Sequence, residues 1–433
     1  MSEKGSPQAI LTSFLTCISR IRKRGAREMN FPGLQKMSRM LLLLFLCTSV
    51  LPIAGCWDRK EINDVLLVSA VGIDKKNDKI EISIQIVVPK ATGGGQQSIS
   101  GGGGGGGGGV NPTFVNSATG ITIADAIAKL QEQISRKIFW GQMKVLIFGE
   151  ELAKEGIREH VDYLARHPQS RLRLHVFVSK GKAADILEVL PPLEKSSAES
   201  ARELALSQFG LNKTMKELLQ MLKGEAGAAA LPRIEEVPPT TGGEKDHTTV
   251  RLNGTAVFKK DKMVGYVNDE LTRGILWLRN EIKRATVTIE PSETKGRVSL
   301  ELIRAKTELI PQIEHGTWKM TLKAVAEDDV VQNATNLDML NPSVLKMLQK
   351  EAKKDLENRV YLALKKVQKG MKADIFGFAE AFHRKYPKQW AAAKDRWDQI
   401  FPNVEVKVDA TVYIHRPGVS TESPALPKNE VQQ

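Results

Sequence analysis

Val65-Leu-Leu-Val-Ser-Ala-Val-Gly-Ile73 is an apolar run of strand length, and the polar residues Asp74-Lys-Lys-Asn-Asp78 behind it read as a turn. Ile80, Ile82, Ile84 and Ile86 then alternate with polar neighbours, the period of a strand with one buried face. The two segments predict a β-hairpin near the start of a first folded domain, and the rest of the chain is read outward from it.

Downstream, residues 93–109 are almost entirely Gly, Gln and Ser and cannot repay their ordering entropy, so a floppy insertion is expected there. Thr122 then suits the N-cap of a helix with Ile123, Ile127, Leu130 and Ile134 on one face. Lys144–Phe148 reads as a strand, Glu150–Arg166 as a helix, Arg171–Val178 as a strand and Ala183–Leu190 as a short helix. This β-β-α-β-α-β-α order implies a mixed sheet with helices packed on it, over residues 56–193.

A helical stretch follows over Ala198–Leu222, broken near Gly210, and the Gly-, Ala-, Pro- and Thr-rich residues 224–245 read as a linker or long exposed loop. A second hairpin is expected from Val250–Phe258 and Met263–Val267, then a helix over Asp269–Lys283. These make a middle domain, 194–290. A third, 291–418, combines strands with the longest helix, 342–370, opened by Asn341-Pro342 and striped by Leu345, Leu348, Ala352, Leu356, Val360, Leu364 and Val367. Residues 419–433 read as a loose tail. The fold class is therefore α+β: three mixed α/β domains behind a signal segment.

Upstream of the hairpin, Met40–Ala54 is apolar but too short to span a bilayer core comfortably, which takes about 20 helical residues. Basic residues precede it and small ones follow, the layout of a secretory signal. The junction Ile53-Ala-Gly-Cys56 resembles a bacterial lipobox, which predicts cleavage between Gly55 and Cys56 and a diacylglyceryl group on the Cys56 thiol. Of the three cysteines, Cys17 and Cys47 lie in the removed segment, so Cys56 has no internal disulfide partner. Two acyl chains suffice for stable anchoring where one is marginal. Residues 1–36 put a second semi-apolar piece ahead of a complete signal, so translation is expected to begin at Met37 or Met40, or at Met29.

The formal charge of +13 falls to +7 once residues 1–55 are set aside, and acids interleave the remaining bases without a dense block. Nucleic acid is a poor match. No Gly-x-Ser-x-Gly elbow, phosphate loop or His-Glu-x-x-His occurs, and the seven histidines form no His-x-His or i, i+4 pair. The expectation is a non-enzyme with no metal and no cofactor.

Gly55-Cys-Trp-Asp-Arg-Lys-Glu-Ile-Asn63 running into Val71-Gly-Ile-Asp74 resembles the start of the mature Ger(x)C spore germination proteins. Leu252-Asn-Gly-Thr-Ala-Val-Phe258, Met263-Val-Gly-Tyr266 and Glu270-Leu-Thr-Arg-Gly-Ile-Leu-Trp277 resemble that family's central pattern. Asp374-Ile-Phe-Gly-Phe378, Phe382-His-Arg-Lys-Tyr-Pro387 and Trp390 resemble its C-terminal helices. The resemblance implies the C subunit of a germinant receptor: a lipoprotein on the outer face of the spore inner membrane, joined to membrane-spanning A and B subunits. Cys56 carries over as the lipidation site. Trp57, Asp58, Arg59, Arg273 and Trp277 are candidate partner contacts, the last two one helical turn apart. The competing expectation is a solute-binding lipoprotein of a transporter, although no internal repeat suggests paired lobes. A tethered cell-wall hydrolase lacks the catalytic pairs.

Overall fold

The computed structural model describes residues 40–41, 64–87, 113–237, 248–292 and 294–416. The residues from Ile62 onward form one compact unit that holds all three apolar cores. Apart from Met40 and Leu41, the signal segment lies outside the described residues, as do Gly55 to Arg59, the glycine tract and the tail.

The opening hairpin is present as β1 (Val65–Lys76) and β2 (Lys79–Val87), antiparallel from Lys76↔Lys79, with Asn77 in the left-handed region at φ 55°. The strands run further than the expected turn allowed, because Asp74 is an inward-facing strand residue, 2% exposed. β3 (Thr113–Gly120) pairs with β2 at the sheet edge; its sequence has no clean apolar alternation to announce it. After α1 (Ile123–Glu132), capped by Thr122 as expected, β4 (Lys137–Phe139) and β5 (Val145–Phe148) both run parallel to β1. The expected helix over 150–166 is two, α2 (Glu150–Glu155) and α3 (Arg158–Arg166), because Gly156 at φ 144° leaves the helical region. β6 (His175–Ser179), α4 (Ala183–Glu188), α5 (Ser197–Leu206) and α6 (Met215–Lys223) follow.

The reading of 224–245 as a linker is wrong where the structure describes it. Residues Ala228–Glu236 are β7, buried along nearly its whole length, and the small alanines let it sit inside the sheet with elements on both faces. β8 (Val250–Lys259) and β9 (Lys262–Val267) form the expected second hairpin. The result is a nine-stranded mixed sheet of order β3-β2-β1-β5-β6-β7-β8-β9, with β4 off this path on β1. The sheet therefore continues across residue 193. Its parallel centre is buried on both sides. Leu146, Phe148, Val176 and Val178 face a core with α1, α2, α3 and α6. Val145, Ile147 and Phe177 face a second core with α4 and α5.

α7 (Asp269–Leu278) leads into a four-stranded sheet of β10 (Thr286–Ile289), β11 (Val298–Glu314), β12 (Thr317–Asn333) and β13 (Glu405–Arg416), in that order. α8 (Pro342–Leu364) covers this sheet with Val344, Leu348, Ala352, Leu356, Val360, Ala363 and Leu364, then widens into a π-helical turn over Lys365–Met371. α9 (Phe378–Lys385), α10 (Pro387–Ala393) and α11 (Trp397–Ile400) close the third core.

Candidate functional site

Several motif residues prove to be joints between elements. Asp74 accepts hydrogen bonds from the Ala183 and Ala184 amides, 2.8 and 2.9 Å, at the start of α4 more than a hundred residues away. Burial raises its pKa, against the pull of those two amides. The clue in the sequence was an Asp ending an apolar run, which has the same form as a turn. In the central pattern, Gly254 takes φ +89° and its amide donates to Asp269 Oδ1 at 2.6 Å. A Cβ at Gly274 would collide with the Arg359 carbonyl oxygen, so this glycine sets how closely α7 approaches α8.

Asp374 opens the C-terminal motif and is the hub of an aromatic knot. Its carboxylate accepts from the Phe376, Phe378 and Ala379 amides and, at 3.1 Å, from Trp397 Nε1. Burial pushes its pKa up to about 6 even with these donors in place. Trp397 packs edge-on to Trp390, Phe382 and Trp318, with ring centroids 5.0 to 5.8 Å apart. Trp390 Nε1 donates to Glu225 Oε2 at 2.9 Å, and Glu225 also pairs with His383.

The two described partner-contact candidates share the α7 helix. Arg273 Nη1 donates to the Thr286 carbonyl at 3.0 Å and its side chain is half-buried at the surface, whereas Trp277 is 6% exposed and packs in the core. Beneath them is a tight hollow of about 30 Å³, where Asp328 of β12 is 6% exposed. No side-chain hydrogen bond to the Asp328 carboxylate occurs among the described residues; burial, reinforced by Asp329, pushes its pKa up to about 7. Cys56, Gly55, Trp57, Asp58 and Arg59 fall outside the described residues.

A cleft of about 500 Å³ lies between the start of α1, the α2–α3 junction and Asp261 of the β8–β9 turn. Ile80, Ile123 and Leu152 give it an apolar lining. Tyr163 and His160 supply polar groups; desolvation lowers the His160 pKa, leaving a neutral imidazole. Arg158 bridges Asp261 across its lip at 3.2 Å. No group of three or more His, Cys, Asp or Glu suited to a metal occurs among the described residues.

The chain is similar to known proteins over most of its length. Residues 58–236 match a family described as the spore germination protein N-terminal domain, and residues 253–418 match one described as spore germination B3/GerAC like, C-terminal. Spore germination protein KC of Bacillus subtilis (strain 168) is 29% identical over 88% of this chain and 96% of its own. The putative spore germination protein YfkR of the same organism is 30% identical over 88% of this chain and 97% of its own. The crystal structure of the GerBC protein superimposes with a TM-score of 0.50 at 18% identity, covering 79% of this chain and 96% of that one. This chain belongs to the Ger(x)C family of spore germination proteins.

Proposed function

We propose that the protein is the C subunit of a nutrient-germinant receptor, anchored by a diacylglyceryl group on Cys56 to the outer face of the spore inner membrane. There it assembles with membrane-spanning A and B subunits. The observation that carries the reading is the match to spore germination proteins along nearly their whole length, set behind a lipobox-like Ile53-Ala-Gly-Cys56. Trp57, Asp58 and Arg59, beside the anchor, are the proposed contacts to those subunits, together with Arg273 on the surface of α7. The role is that of an assembly subunit, with no chemistry of its own.

The test is the optical-density loss of spores after a nutrient panel, comparing wild type, a deletion and Cys56→Ala, with membrane retention followed in parallel. Both mutants are expected to fail on one nutrient and still germinate with a non-nutrient trigger. Normal germination of the deletion strain on every nutrient would sink the reading.

The 500 Å³ cleft beside His160 favours one second reading, a solute-binding lipoprotein, since it is of a size that encloses small ligands. A solute that raises the melting temperature of the isolated chain progressively with the logarithm of its concentration above Kd would support this alternative.

A further inference from the structure

The net positive charge left after removal of the signal segment is nearly equalled by that of one stretch, the acids and bases elsewhere almost cancelling. Residues 342–372, α8 with its π-helical extension and the capping Lys372, hold nine Lys/Arg against three Asp/Glu, a net of +6 out of +7. In sequence the acids interleave these bases and hide the block. In the structure Asp355 pairs with Arg359 at 2.6 Å and Glu357 with Lys353 at 3.7 Å. Lys346, Lys350 and Lys354 lie at i, i+4 and i+8 on the exposed face, and Lys365 continues the row. None of these four makes an ion pair among the described residues.

The row is about 28 Å long at 1.5 Å per residue. Like charges at i, i+4 repel and weaken a helix, and a face meant only for water ordinarily mixes signs. Between Lys354 and Lys365 the helix exposes Leu362 (37%) and part of Tyr361 (46%), whose hydroxyl accepts from the Val408 amide of β13 at 3.4 Å. The opposite side of α8 is committed to the four-stranded sheet, so the row faces outward. A row of ammonium groups without ion-pair partners, with Leu362 beside it, matches the interface of an anionic bilayer, where ammonium groups meet phosphates.

We infer that the outward face of α8, with Lys346, Lys350, Lys354 and Lys365 as its charged row, lies against anionic phospholipid headgroups. It is a second, non-covalent membrane contact beside the lipid anchor. The inference deepens the membrane-anchored reading and rests on it for the presence of the bilayer.

The experiment uses the chain from Ile62 onward, the compact unit that carries all three cores and lacks Cys56. Binding is measured by flotation with vesicles of phosphatidylcholine alone and of phosphatidylcholine with phosphatidylglycerol. The wild-type chain is expected to float only with the anionic vesicles at low salt, and to be released as salt shortens the Debye length. The variant Lys346→Gln/Lys350→Gln/Lys354→Gln/Lys365→Gln is expected to bind more than about 100-fold more weakly, at about fivefold per lysine near the surface. A matched variant, Arg171→Gln/Arg173→Gln/Lys182→Gln/Lys216→Gln, removes equal charge from exposed positions of the nine-stranded half and is expected to bind like wild type. Equal weakening of both variants, equal binding to neutral vesicles, or no vesicle binding by wild type would each overturn the inference. The last outcome would point instead to an acidic protein surface. Because this chain cannot be acylated, a failed anchor shows only in the Cys56→Ala spores and a failed lysine row only in the vesicles.

Discussion

Asp374 and Asp328 are both buried in the C-terminal half, 5% and 6% exposed, yet their surroundings treat them in opposite ways. Asp374 receives three backbone amides and an indole N–H inside a ring of aromatics. Asp328 sits where β12 breaks register with β13, in the hollow under α7, with no donor among the described residues and Asp329 next to it. Burial raises both pKa values, to about 6 and about 7, and only at Asp374 do amide and indole donors pull against it. A buried carboxylate with donors around it fixes the structure there, while one without protein donors is tolerated at a cost that depends on pH.

Removing each carboxylate should therefore move stability in opposite directions. Asp374→Ala leaves four buried donors without an acceptor and is expected to cost about 3–4 kcal/mol, since each lost partner costs about 1–3 kcal/mol and neighbouring losses do not add fully. Urea unfolding followed by tryptophan fluorescence would measure it, because Trp397 and Trp390 lie in the knot. A loss below about 1 kcal/mol would mean that water replaces the carboxylate, and the contrast with Asp328 would fail.

Asp328→Asn is the converse. Both groups have folded pKa values above the unfolded carboxylate value of 3.8, so the folded state holds their protons more tightly. Their protonation stabilises the fold fully below about pH 4 and is lost as pH rises through about 6 for Asp374 and about 7 for Asp328. At pH 8 Asp328→Asn should stabilise the chain by on the order of 2 kcal/mol, the shift being softened by local relaxation. The gain should shrink towards pH 4, which thermal melts across that range would show. A uniform effect at every pH would place a fixed donor on Asp328.

The hairpin, the mixed sheet and the long helix were legible because each rests on a local period that a one-sided apolar pattern displays. What the sequence concealed depends on contacts between distant residues. Ala228–Glu236 reads as a linker because alanine and proline carry little strand preference; tertiary pairing between β6 and β8 makes it a strand. Asp74 reads as a turn residue because nothing near it in sequence shows that the start of α4 will need its oxygens. The basic row on α8 was hidden for the same reason, since only the structure assigns Asp355 and Glu357 to Arg359 and Lys353. Trp277, read as a partner-contact candidate one turn from Arg273, lies in the core because it falls on the inward face of α7.

The smallest expected effect tests whether access to water is what separates the two cases. Trp390 Nε1 also donates to a carboxylate, that of Glu225, but this one is about one-third exposed and keeps His383 as a partner. Trp390→Phe removes an N–H from a fully buried ring, so its total cost mixes lost packing with the lost bond. Glu225→Gln and the double variant separate the two. The coupling between the indole and the carboxylate is expected at about 0.5–1 kcal/mol, well under the loss for Asp374, because Glu225 regains water when the indole is gone. A coupling of about 3 kcal/mol would mean that solvent does not reach Glu225 and that the two knots are energetically one. A coupling near zero would leave Asp374 alone as the polar group that holds the C-terminal helices in place.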